Sequence, residues 1–216
     1  MSIYGLILGI AFTIGIEYSI YNNRLLNKSQ KKYLSLIIVF SSLLGARIYH
    51  VLDYWSYYSQ NPNQILNTKM GGLGIYGGII GGFISIYIFS KIYKIPILLI
   101  TNKISTILPL CQAIGRVGNF FNKEISIWWL ESILSFLLFL FIRNKNSNQT
   151  SFYLIGYGII RIITELFRTD TWSIHSIKTA HVISLIMMFL GIYLLKIYGD
   201  PRGIRTPDCL DESQES

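Results

Sequence analysis

The chain has 216 residues, of which 51% are apolar and only 14% charged, whereas a soluble domain carries about a quarter charged residues. Mean hydropathy is +0.45, and several apolar runs approach the ~20 residues that span a bilayer, which argues against a soluble fold. The net charge of +8, from 19 basic and 11 acidic residues, is scattered between apolar runs, a pattern that suits membrane topology and not nucleic-acid binding.

Alternation of period two is absent, so an outer-membrane barrel is not expected. A spanning helix satisfies its own backbone hydrogen bonds, as lipid requires. Seven apolar segments follow in chain order, over approximately 3–21, 34–52, 73–90, 95–115, 125–142, 151–167 and 179–197. The fold class expected is all-α: a polytopic integral membrane helical bundle of about seven transmembrane helices. Residues 1–198 form the membrane domain, and 199–216 form a polar, acidic tail expected to be disordered and cytosolic. The first segment has no basic leader and no small-residue cleavage pattern, and reads as a retained helix.

Basic residues set the topology. Arg24, Lys28, Lys31 and Lys32 lie between the first two segments, Lys91 and Lys94 between the third and fourth, and Arg143 and Lys145 between the fifth and sixth. Lys196 closes the seventh. With seven spans these loops share one side if the N-terminus is outside and the C-terminus cytosolic.

Ionisable groups inside apolar segments are costly and usually functional. Arg47 and His50 lie near the outer end of the second segment. Gly71 to Gly82 holds seven glycines in twelve residues; it permits close helix packing or the lining of a lipid cleft, and both readings stay open. It lacks the strand that a dinucleotide fingerprint needs. Arg116, Asn119, Asn122 and Glu124 fall in the run 115–124, and Glu131 begins the next apolar stretch. Tyr157, Arg161 and Glu165 share one helix face at spacings of four, with Arg168 three residues on. Guanidinium groups bind two phosphate oxygens at once and stay charged when poorly hydrated. The asparagine amides can donate to ester or phosphate oxygens, and Glu124, Glu131 and Glu165 can orient the arginines or move protons. The alternative is internal ion pairing that holds helices together, as between Arg161 and Glu165.

His50, His175 and His181 have no metal-ligand spacing and read as polar anchors. Cys111 and Cys209 support neither a disulfide framework nor a metal site. Tyr54, Trp55, Tyr57, Tyr58, Trp128, Trp129 and Trp172 read as an aromatic belt at the outer interface.

The run Gly115-Arg116-Val117-Gly118-Asn119-Phe120-Phe121-Asn122-Lys123-Glu124 resembles the Gly-Arg-x-Gly-Asn-Phe-x-Asn-x-Glu signature of the prolipoprotein diacylglyceryl transferases. Tyr4-Gly5, Gly45 to Tyr54 with the glycine run, and Gly156 to Arg168 are similar to further stretches of that family, in its order. The resemblance covers most of residues 4–195. It implies transfer of the diacylglyceryl group of phosphatidylglycerol to the lipobox cysteine of a preprolipoprotein signal peptide, in the bacterial cytoplasmic (inner) membrane. No metal or organic cofactor is implied, and the partners are membrane lipid and lipoprotein precursors, not nucleic acid. By motif position Tyr4, Arg116, Asn119, Glu124, Tyr157, Arg161 and Glu165 fall at functional positions of the family, and Glu131 matches a glutamate that follows an aromatic residue.

Two departures stand out. The family has histidine where this chain has Tyr76, and a tyrosine of pKa near 10 is a poor base at neutral pH; His50 is the alternative proton acceptor. Between Glu124 and Glu131 the chain is short where the family inserts an external segment, and an external N-terminal extension is missing too. The competing readings are a degenerate, non-catalytic phospholipid-binding or transporter-like protein, and a structural membrane subunit.

Overall fold

In hydrocarbon a chain has no water to bond its amides, so its apolar runs close their hydrogen bonds internally as helices. In a computed structural model, residues 3–67, 72–122, 127–167, 173–174 and 177–198 are described. The helices are α1 (Ile3–Ile16), extended by a π-helical stretch Glu17–Tyr21; α2 (Lys28–Asp53); a short α3 (Trp55–Tyr58); α4 (Ile75–Tyr93); α5 (Ile97–Asn122); α6 (Trp128–Arg143); α7 (Gln149–Leu166); and α8 (Thr179–Tyr198). Two-residue strands β1 (Ser173–Ile174) and β2 (Ile177–Lys178) pair antiparallel just before α8.

The chain is an all-α polytopic membrane protein. Among the described residues, five stretches are long and apolar enough to cross a membrane: Ile3–Tyr21, Lys28–Asp53, Ile75–Tyr93, Ile97–Phe121 and Thr179–Tyr198. α6 is shorter, at 16 residues, and α7 carries Arg161 and Glu165 within its length. Large apolar side chains point outward, with Phe40 69% and Phe189 71% exposed; such a surface has acyl chains as its natural solvent.

Local signals explain where helices begin and end. α2 starts at Lys28, earlier than hydropathy alone suggests, because Asn27 and Gln30 form a reciprocal capping box: Gln30 N donates to Asn27 Oδ1 at 2.9 Å and Asn27 N to Gln30 Oε1 at 3.0 Å. α4 ends at Lys94, whose φ of 55° is left-handed, and Pro96 follows before α5.

The chain divides into two compact units, Met1–Gly15 with Asn102–Ser216, and Ile16–Thr101. In the second unit α2 and α4 pack with backbones nearly touching. A Cβ on Gly45 would strike the Gly77 carbonyl, one on Gly77 the Gly45 carbonyl, and one on Gly81 the Ser41 carbonyl. The glycine run thus serves close helix packing.

In the first unit α7 and α8 run antiparallel, with Gly158 against Ser184 and Met188, and Gly191 against Ser151, Leu154 and Ile155. α6 joins them through a core of Leu138, Ile142, Tyr153 and Ile160. The Asn102 side-chain oxygen ties α5 to α7 by accepting from Thr150 N at 3.0 Å and Thr150 Oγ1 at 2.8 Å. α1 lies along α5: Leu8 packs at Gly115 and Tyr4 at Gly118, and Cys111 Sγ donates to Ala11 O at 3.2 Å.

Candidate functional site

Arg116 does not follow a helix, as the hydropathy of the sequence suggests; α5 continues through it to Asn122. Gly115 and Gly118 do not interrupt the helix and instead act as notches. A Cβ on Gly118 would come within 2.8 Å of Tyr4 Cδ2, so the ring of Tyr4 lies directly against the motif. Continuing the helix puts Arg116 and Asn119 three residues apart on one side of α5.

Three helices of the first unit bring four charges together. Glu131, in the first turn of α6, is 2% exposed and is held from both sides. Arg161 Nη1 donates to its Oε1 at 2.9 Å, while Arg116 Nε stands 2.5 Å from its Oε2. That second contact is close but off the hydrogen-bonding direction, since Oε2 has no aligned donor; it is a charge contact. Arg161 Nη2 reaches Glu165 Oε2 at 3.2 Å, one helical turn along α7. The arginine side chains are 23% and 18% exposed, and the carboxylates only 3% and 1%. Carboxylates therefore form the floor of the cluster and guanidinium groups its accessible face.

The formal charges of the four groups cancel, which lowers the cost of burying them. The hydrogen-bonding capacity does not cancel. Glu131 engages Arg116 only at Nε, and among the described residues nothing bonds its two terminal Nη groups. A planar fork of N–H donors braced from behind matches two oxygens of a phosphate. The side chain of Asn119, a residue 6% exposed, also makes no hydrogen bond to a described residue.

Below the cluster the interior stays polar. Gln112, one turn before Arg116, donates from Nε2 to Tyr153 Oη at 2.8 Å, and Tyr153 stacks on Tyr157 with centroids 5.7 Å apart and planes at 12°. Ser132 Oγ donates to Ala113 O at 2.9 Å and ties α6 to α5. Neither Gln112 nor Tyr153 is distinctive by type; the signal in the sequence is that each lies four residues before a residue already singled out, Arg116 or Tyr157.

The second unit holds another arrangement, described by itself. Arg47 is 8% exposed, and its donors go to loop backbone: Nε to Ile65 O at 2.7 Å, Nη1 to Gly72 O at 2.9 Å, and Nη2 to Gln64 O at 2.7 Å and Asn67 O at 3.0 Å. Its guanidinium also lies 5.3 Å from the centre of the Tyr58 ring. The sequence groups Arg47 with head-group ligands; its geometry makes it the organiser of the loop before α4. His50 packs on Tyr54 and Tyr58 at 4.7 and 5.9 Å. Tyr76 is half exposed and pairs with Tyr49 at 6.0 Å. Glu124 and Arg168 lie outside the described residues, as does the side chain of Asn122.

A buried ionic cluster facing outward from apolar helices defines a multi-pass membrane protein with an intramembrane polar site. The chain matches the family described as prolipoprotein diacylglyceryl transferase over residues 1–126 and 126–197, and it belongs to that family. The two matched stretches meet within the 124–131 segment. Relatives named phosphatidylglycerol–prolipoprotein diacylglyceryl transferase include those of Clostridioides difficile, 34% identical over 88% of this chain and 87% of the relative, Clostridium novyi, 33% identical over 89% of each, and Finegoldia magna, 31% identical over 88% of each.

Proposed function

We propose that the chain is a transferase that moves the diacylglyceryl group of phosphatidylglycerol onto the lipobox cysteine thiol of preprolipoproteins, the first step of lipoprotein maturation. The observation that carries this reading is the pair of guanidinium groups, Arg116 and Arg161, braced through Glu131, with the Nη groups of Arg116 unpaired among the described residues. It fits the phosphodiester of an anionic lipid lying among apolar helices. Family membership supports the same reaction.

In this reading Arg116 and Arg161 hold the phosphate, Asn119 donates to a head-group oxygen, and Tyr4 and Tyr157 flank the lipid. Glu131 and Glu165 keep the guanidinium planes in place. The thiol loses its proton, the sulfur forms a bond to the terminal glyceryl carbon, and the carbon–oxygen bond to phosphate breaks. Glycerol phosphate leaves with that oxygen and both electrons of the broken bond. Two guanidinium groups fixed in advance stabilise the charge gathering on the leaving phosphate. A cationic surface also favours thiolate over thiol, whose free pKa is about 8.5. On the sequence resemblance alone, proton acceptance is assigned to His50 or Tyr76; full activity of His50→Gln removes His50 from that role.

The proposal includes seven spans with the N-terminus outside, the bacterial cytoplasmic membrane as location, and residues 199–216 on the cytosolic side. The decisive assay uses purified protein in detergent with phosphatidylglycerol and a lipobox peptide. Glycerol phosphate release that Arg116→Ala reduces about 100-fold is the expected result, in the range seen when one preorganised charge-stabilising donor is lost. Wild-type release no greater than that of Arg116→Ala rejects the transferase and leaves a lipid-binding protein.

A further inference from the structure

Two buried polar atoms, Glu165 Oε1 on α7 and His181 Nε2 on α8, have no hydrogen-bond partner among the described residues. Neither is a small matter energetically, because a buried polar group left without its hydrogen bond is destabilising. Three contacts fix how the two helices face each other. Gly158 lies against Ser184 and Met188, Gly191 lies against Ser151 and Ile155, and Lys178 Nζ donates to Glu165 O at 2.7 Å.

Those contacts place His181 on the side of α8 that faces α7. His181, Ser184, Met188 and Gly191 follow one another at spacings of three, four and three, the stripe that turns one helix face to a neighbour. On α7 the matching stripe runs Ser151, Ile155, Gly158, Ile162, Glu165. With the helices antiparallel and Gly158 level with the middle of Ser184–Met188, His181 stands within about one turn of Glu165. Side chains lean toward the N-terminus of their own helix, so on antiparallel helices these two lean toward each other.

We propose that His181 is a positioning residue of the site, acting through Glu165. Its Nε2–H donates to Glu165 Oε1, directly after a small side-chain rotation or through one buried water, and leaves Oε2 aimed at Arg161 Nη2. The chain of contacts then reads Arg116, Glu131, Arg161, Glu165, His181 across α5, α6, α7 and α8. An imidazole suits the place because it donates whether neutral or protonated. Among the described residues Lys178 also lies at this end, where its Nζ bonds the backbone oxygen of Glu165 at 2.7 Å. The inference rests on the reading of Arg161 as a phosphate ligand only for its effect on turnover; the pairing itself stands without it.

The test therefore has two arms. In protein labelled with ¹⁵N in the histidine rings, the ring signals of His181 are assigned by their loss in His181→Gln. They are expected to shift in Glu165→Gln and in Glu165→Asp, whose shorter carboxylate retreats from the contact. His181 signals unchanged in whichever of these variants folds overturn the pairing, whether or not the protein is a transferase. In the second arm His181→Leu, checked for an intact thermal melt, is expected to lower kcat about tenfold, a size common for a group that orients another. His181→Gln, which restores an N–H donor, is expected to recover most of that loss. A leucine variant as active as wild type, or a glutamine variant no better than leucine, overturns the positioning role.

Discussion

Arg47 and Arg116 are both arginines within apolar helices of one chain, and they illustrate opposite ways to keep a guanidinium in lipid. Around Arg47 four backbone carbonyls accept from Nε, Nη1 and Nη2, and the charge is absorbed by a loop. Around Arg116 a single carboxylate among the described residues engages Nε, and neither Nη group bonds a described residue. Burial alone therefore does not distinguish these two arginines. What separates them is whether the terminal nitrogens have partners among the described residues.

The largest effect expected from breaking this contrast comes from Glu131. Glu131→Ala leaves Arg116 and Arg161 without their shared counter-charge, and removing one partner of a buried ion pair costs about 3–5 kcal/mol; denaturant unfolding in detergent reads it. Arg47→Lys comes next. A lysine ammonium is compact and cannot reach carbonyls spread over Gln64, Ile65, Asn67 and Gly72, so two or three hydrogen bonds are lost, about 2 kcal/mol in all. The change is expected as faster amide exchange at Gly74, whose N–H bonds Ala46 O. Turnover per folded molecule should fall far less than in Arg116→Ala; an equal fall would join the two arginines in one role. Smallest is Asn27→Ala, which removes the cap of α2 and costs about 1 kcal/mol, with glycerol phosphate release unchanged.

Much of this arrangement is legible in the residues. Hydropathy finds every long helix, and the spacing of four between Arg161 and Glu165 announces their contact. The bridge at Glu131 is not legible, because it joins α5, α6 and α7, and no local period records how separate helices align. The continuation of α5 past Gly115 and Gly118 was hidden for a related reason. Glycine weakens a helix on its own, and only the rings and methyls of α1 packed into those notches make it the right residue. The loop contacts of Arg47 are not legible either, since a loop that folds back on a side chain leaves no periodic trace. Glu124 and Arg168, read from the sequence as site residues, stay proposals.

The contact of α2 with α4 bears on how such a chain is made. Gly45, Gly77 and Gly81 allow one backbone to nest on another, and only the short segment that carries α3 separates the two helices in sequence. Close packing between neighbours in sequence forms early and needs no distant segment. The pair is thus suited to leave the insertion machinery as a finished hairpin, with Arg47 already closing its loop, while α6, α7 and α8 are still being synthesised. On this view the glycines govern the order of assembly as much as the final packing. A bulky residue at Gly77 would be felt first as a biogenesis defect, in the yield of inserted protein.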